Sequence, residues 1–170
     1  SMTSPGAPAL NVLHRFSQTW LKERISDIHL LPMYPWSSDD GFSVKDYRQI
    51  APELGDWQDV EAMAKDFNLM FDFVINHISR ESTWFKGYLN GDARYENFFL
   101  NADPEGDYHQ VTRPRALPLL TPFTRKSGEK VHIWTTFSAD QIDLNFREPE
   151  VLLESIAILL EYAARSEEHT

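Results

Sequence analysis

The sequence predicts an α/β fold built on parallel strands, and three features carry that expectation. Segments with apolar residues at helical spacing alternate with short apolar runs. One of these runs, Leu69 to His77, is apolar except for Asp72 until it ends in Asn76 and His77, as a parallel strand covered on both faces does. The third feature is the segment opened by Pro149, an amphiphilic stretch so rich in Leu, Ile and Ala that it needs cover on most of its surface.

Taken in order, residues 8 to 24 place Leu10, Leu13, Phe16, Trp20 and Leu21 on one helical face, and Ile25 to Leu31 then reads as a strand. Residues 31 to 55 hold Pro32, Pro35, Pro52 and the turn-prone Ser37 to Gly41, so they form a shaped loop. Asp56 is placed to cap a helix whose face is Trp57, Val60, Met63, Ala64 and Phe67, with Asp59 in its first turn. The strand 69 to 76 follows, with a short helix near 81 to 90. From Asp92 to Arg147 the chain turns to Pro, Asn, Asp and aromatics, with a hairpin around Lys126 to Lys130 and a strand Val131 to Phe137. That stretch is too long for a simple connection and reads as an inserted subdomain. Two strands do not complete a parallel sheet, so further strands are expected on both sides.

Composition narrows the classes. The chain of 170 residues is 42% hydrophobic and 13% aromatic, which suits a globular domain. A formal charge of −10 argues against nucleic acid or an anionic membrane as partner. Cysteine is absent, which excludes thiolate chemistry and disulfides and suits a cytoplasmic location. No apolar run reaches the ~20 residues of a membrane-spanning helix. Asp72 inside its apolar run calls for a hydrogen-bonding or charged partner.

Two motifs then carry a resemblance. DFVINH (72 to 77) fits D-x-x-x-N-H, and DQIDLN (140 to 145) contains Q-x-D-L-N; they stand in that order, separated by a domain-sized excursion. The chain thereby resembles the alpha-amylase superfamily, glycoside hydrolase family 13. The segments from Ile28 to Tyr47, Glu53 to Trp57, Arg113 to Phe123 and Ile133 to Phe146 look like its sucrose phosphorylase branch, most of all the members acting on glucosylglycerate and sucrose 6-phosphate. The similarity runs from about Pro8 to Arg165. It implies a partial (β/α)8 TIM barrel, strands two and three with their helices, plus an inserted domain B. The implied division is 1–91 for the barrel part, 92–147 for domain B, 148–165 for the third barrel helix and 166–170 for a non-native tail.

The resemblance also implies roles. Asp39 would accept hydrogen bonds from hydroxyls of a bound glucosyl ring and His77 would donate to it; a carboxylate that only accepts and an imidazole that can donate together read a hydroxyl pattern. Phe42 and Phe137 match aromatics that wall the sugar. Gln141 matches a polar residue near the acceptor side, and Arg115 matches a contact to phosphate or a charged acceptor. Asp72, Asn76 and Asp143 are expected to be structural. Asn76 and Asp143 also match positions that help hold calcium in amylases, but the six to eight oxygens of such a site are not evident, so neither metal nor cofactor is expected. Without the motifs, a strand-end histidine, a solvated turn at Asp39 and Asp40, and surface ion pairs at Arg113 and Arg115 explain the same residues.

The implied chemistry is retaining glucosyl transfer to phosphate, with an α-glucoside and phosphate as the partners. Neither the nucleophile nor the acid/base of that reaction can be assigned here; the family places them on strands four and five. The last six residues, RSEEHT, are one-frame translation of a common sequencing adapter, so the chain is expected to be a piece of a longer enzyme, truncated at both ends and inactive by itself. Two other readings are kept: a piece of an α-glucoside hydrolase or isomerase, and a non-catalytic glycan-binding scaffold.

Overall fold

The computed structural model describes residues 6–112 and 116–166, the last of these by its backbone alone. They contain four α-helices, α1 (Ala9–Trp20), α2 (Trp57–Ala64), α3 (Thr83–Asn90) and α4 (Pro149–Ser166). The six strands are β1 (Asp27–Leu30), β2 (Asn68–Phe71), β3 (His77–Ser79), β4 (Leu120–Thr124), β5 (Lys130–Trp134) and β6 (Gln141–Asp143). The chain divides into two compact units. One comprises the described parts of Ser1–Pro35, Tyr47–Phe73 and Ile156–Thr170, the other Trp36–Asp46 and Val74–Ser155.

The first unit is the β/α part. β1 and β2 pair in parallel, Asp27 with Asn68 through Leu30 with Phe71. Its helix α2 starts where the sequence places it: the Asp56 side chain accepts from the backbone N–H groups of Gln58 and Asp59, and Asp59 returns the bond to the Asp56 N–H. Val60, Met63 and Phe67 are buried, as the predicted face requires. Tyr162 of α4 sits among rings. It stacks on Tyr34 at 5.2 Å and meets Trp57, Phe71 and Phe73 at 5.7, 6.3 and 5.5 Å, while its hydroxyl donates to the Tyr47 carbonyl at 2.5 Å.

The expectation of a single strand from Leu69 to His77, covered on both faces, is overturned. β2 ends at Phe71, residues 72 to 76 are not strand, and His77 opens β3, which belongs to the other unit. The ladder stops because the partner strand runs from Leu30 into Leu31 and Pro32, and proline has no N–H to continue it. Cover is also incomplete: Met70 is 58% exposed among the described residues. Asp72 has the partner its setting demands, His29 Nε2 at 2.9 Å, and its backbone carbonyl accepts from the Tyr34 hydroxyl. The cover expected around α4 is likewise one-sided. Val151, Ser155, Ile158 and Tyr162 are buried, whereas Leu153 and Leu160 stand 64% and 63% exposed.

A polar clamp ties α1 to the turn after α2. Asp66 accepts from His14 Nε2 at 2.8 Å and Gln18 Nε2 at 2.6 Å, four apart on α1, and from Lys22 Nζ at 2.7 Å in the turn after it. Hydrogen bonds from Lys22, then His14, then Gln18 hold its carboxyl well below the usual carboxylate range. A depressed folded pKa stabilises above the unfolded value of about 4 and is lost as pH falls through the folded one. Asp66→Ala is therefore expected to cost about 1–2 kcal/mol at pH 7, discounted for the exposed lysine. In urea unfolding that cost should shrink progressively below about pH 4. An equal cost at pH 7 and pH 2 would show that the clamp is not ionic.

The second unit packs Phe85 of α3 against Phe99 and Phe123 at 5.0 and 4.8 Å, with Phe98, Val131 and Ile133 also buried. β4 and β5 form the expected hairpin, antiparallel from Leu120 with Trp134 to Thr124 with Lys130. β3 pairs antiparallel with β6, His77 opposite Asp143 and Ser79 opposite Gln141. This short ladder positions the site, because it joins the two motifs across 64 residues of sequence.

Candidate sugar-binding site

All of the site described below lies within the second unit. Residues 36 to 44 form a closed loop: Trp36 bridges Val44, the Ser37 N–H donates to the Ser43 carbonyl, and the Ser43 N–H to the Ser38 carbonyl. At its tip Asp39, Asp40 and Gly41 all have positive φ, 59°, 51° and 103°. Glycine adopts that region freely; each aspartate there costs of order 1–2 kcal/mol, although Asp tolerates it better than most residues. The loop is thus held in a conformation that needs outside support.

From outside the loop, Asp140, just before β6, bonds several of its hydroxyls. Its carboxylate accepts from the hydroxyls of Ser37 at 2.6 Å, Ser43 at 2.8 Å and Ser38, with Ser79 Oγ at 3.4 Å. The Ser43 hydroxyl also reaches the Asp140 carbonyl at 3.2 Å, and Ser37 and Ser79 bond each other at 2.6 Å. Burial raises the Asp140 pKa, but the bonds from Ser37, Ser38 and Ser43 and the nearby Arg80 charge outweigh it, so the carboxyl titrates below its ordinary value. The motifs assign no role to Asp140 or to the serines. The available signal was SSDDGFS, four polar residues before an obligate glycine, and an acid directly ahead of Gln141.

Gln141 is 1% exposed and engaged at both ends of its amide. Its Nε2 donates to Asp39 Oδ2 at 2.8 Å, and its Oε1 accepts from the Ser138 hydroxyl at 2.8 Å. This fixes both the amide orientation and one oxygen of Asp39. His77, 4% exposed, has Nε2 2.9 Å from the Phe42 carbonyl and 3.1 Å from the Gln141 amide nitrogen. A carbonyl only accepts, so His77 carries a proton on Nε2 and donates it to Phe42, while Gln141 Nε2 donates to Asp39. The imidazole also lies 4.9 Å from the Phe137 ring, at 52°. Asp39, Phe42 and Phe137 are each half-buried.

The structure thus brings together Asp39, Phe42, His77, Phe137 and Gln141. Arg115 falls outside the described residues. Asp143, opposite His77 in the ladder, accepts from the Thr136 N–H at 3.2 Å and from its hydroxyl. Burial pushes the Asp143 carboxyl up, against the lowering effect of those bonds and of His77. Asn76 contributes its carbonyl to the Leu144 N–H at 3.1 Å, and its side chain is exposed. Among the described residues, no three His, Cys, Asp or Glu groups are placed to hold a metal ion. No helix among them is long and apolar enough to cross a membrane.

The parallel β/α pair of the first unit is the building block of (β/α)8 barrels, whose ligand sites carry a few placed polar groups. The chain belongs to the alpha-amylase family: the model for its catalytic domain matches residues 20–166. Among curated proteins, the glucosylglycerate phosphorylase of Escherichia coli is 54% identical over 160 residues, covering 94% of this chain and 29% of that protein. The sucrose phosphorylase of Streptococcus mutans is 32% identical over 168 residues, covering 91% of this chain and 34% of its own. The crystal structure of sucrose 6F-phosphate phosphorylase from Thermoanaerobacter thermosaccharolyticum superposes with a TM-score of 0.85 at 26% identity, over 94% of this chain and 35% of that one. The fold is accordingly a partial (β/α)8 barrel, and the chain spans about a third or less of the length of these relatives.

Proposed function

We propose that this chain supplies one wall of the glucosyl subsite of a retaining α-glucoside phosphorylase, with glucosylglycerate as the first substrate to test. The observation that carries the reading is the Asp39 carboxylate. One of its oxygens is held by a buried amide, and the same cluster contains an imidazole and two half-buried phenylalanines. Such a carboxylate is preorganised to accept from sugar hydroxyls, and the phenylalanines offer apolar faces to ring C–H groups. The His77 proton is engaged by Phe42 here, so donation to a ring hydroxyl requires it to be shared or exchanged when sugar arrives. The 54% identity to a glucosylglycerate phosphorylase supports the choice of substrate.

In the reaction of this class a carboxylate attacks the anomeric carbon, a carboxylic acid protonates the leaving oxygen, and phosphate then takes the glucosyl group from the covalent intermediate. We assign neither carboxyl group to a residue of this chain; its residues bind and orient. Arg115 keeps its assignment to phosphate or the acceptor carboxylate, since a guanidinium pairs such oxyanions bidentately. A net charge of −10 disfavours nucleic acid and anionic membrane as partners, and the cysteine-free sequence accords with a cytoplasmic enzyme.

The test is to incubate the full product of the source gene with glucosylglycerate and with sucrose, with and without phosphate. Glucose 1-phosphate released only when phosphate is present is the expected result. Free glucose at the same rate in both arms identifies a hydrolase, and isomerised disaccharide an isomerase; either sinks the phosphorylase reading.

A further inference from the structure

We infer that Asp140 is a positioning residue: it latches the 36 to 44 loop through the hydroxyls of Ser37, Ser38 and Ser43 and so fixes the Asp39 carboxylate in place. The inference rests on the reading of Asp39 as a sugar-binding group. Three consecutive residues at the loop tip occupy the left-handed region, and two of them are not glycine, so the loop has no local preference for this shape. Inside the loop backbone bonds run from Ser37 to Ser43, Ser43 to Ser38 and Phe42 to Asp39, at 3.1, 3.2 and 3.0 Å. Three serine hydroxyls, two before the strained tip and one after it, converge on one carboxylate. Ser79 of β3 joins the same set through Ser37.

The latch and the site share one strand end. Asp140 and Gln141 are adjacent in sequence, and the first holds the base of the loop while the second holds its functional oxygen. The Ser79 N–H donates to the Val44 carbonyl at 2.8 Å and the Arg80 N–H to the Asp140 carbonyl at 2.9 Å, which seats the two partners on the last residue of β3 and the one after it. A hydroxyl set that donates to a carboxylate forms shorter, stronger bonds than one that donates to a neutral acceptor, and an ionised acid serves several donors at once. An aspartate at this point therefore does what an asparagine does only in part.

Backbone hydrogen exchange in the 170-residue chain tests the latch. With Asp140→Ala, protection of the Phe42 and Ser43 amides is expected to fall at least tenfold. The amides of Ala102 and Arg125, bonded elsewhere in the same unit, should keep theirs. Asp140→Asn, which retains one acceptor oxygen, should fall between. Unchanged protection at Phe42 and Ser43 in Asp140→Ala overturns the latch. If that variant loses protection at Ala102 and Arg125 as well, Ser38→Ala decides: a rise in exchange of several-fold confined to the loop supports it, and no change overturns it.

D-glucose affinity, measured on the same variants in the full gene product, separates the two claims. Asp39→Asn without effect on affinity refutes the sugar role of Asp39 and leaves the exchange result standing. Weakened affinity in Asp39→Asn, with wild-type affinity in an Asp140→Ala whose loop has loosened, refutes positioning by Asp140.

Discussion

Asp39→Asn is expected to weaken glucose binding by the full gene product about 30-fold, equivalent to about 2 kcal/mol for a charged hydrogen-bond acceptor. The substitution keeps the size of the side chain and changes only what it offers. Gln141 Nε2 donates to the Asp39 carboxylate at 2.8 Å, and Gln141 Oε1 accepts from the Ser138 hydroxyl at 2.8 Å. An asparagine removes the charge of the acceptor, and while Gln141 keeps its orientation it presents its oxygen to Gln141 and its NH2 to the sugar, so an acceptor becomes a donor where a hydroxyl proton is to be received. Affinity measured by calorimetry, with thermal unfolding as a check on the fold, reads this directly. An affinity within twofold of wild type would show that Asp39 does not touch the sugar.

The largest stability effect is expected at Tyr162. Tyr162→Ala removes a side chain that is 4% exposed, together with its stack on Tyr34 and its contacts with Trp57, Phe71 and Phe73. Large-to-small changes at buried aromatic positions cost about 3–5 kcal/mol. That is a large share of the roughly 5–15 kcal/mol by which a domain is stable, so urea unfolding of the first unit should shift far to lower denaturant. Tyr162→Phe keeps the rings and strips only the donor to the Tyr47 carbonyl, 2.5 Å away, so it should cost about 1–2 kcal/mol. Equal costs for the two variants would mean that the hydroxyl, not the ring cluster, holds α4 in this unit.

Local chemistry was the most legible part of the fold. Asp56 and Asp59 flank the start of an apolar periodic segment, and both ends of the capping box form as that pattern requires. The hairpin between β4 and β5 and the start of α4 at Pro149 likewise follow from turn residues and from proline's fixed φ. The stretch from Leu69 to His77 departs from its apolar pattern for a nonlocal reason. Its apolar pattern is continuous, but where β2 ends depends on its partner's Pro32, nearly forty residues upstream, which no window around Asp72 contains.

The site divides in the same way. His77 and Gln141 were legible because they stand in motifs, and the antiparallel register of β3 and β6 then brings those motifs together. Asp140 was not legible. A lone aspartate gives no sign of its role when the three hydroxyls that define it lie about a hundred residues away, in a loop whose shape depends on that same aspartate.

The most direct test of the central claim, that Asp39 and its neighbours form one wall of a glucosyl subsite, is a crystal structure of the full gene product soaked with D-glucose. Ring hydroxyls within hydrogen-bonding distance of the Asp39 carboxylate, with Phe42 and Phe137 against the sugar, are the predicted result. Glucose bound at a site that leaves Asp39 untouched would contradict it.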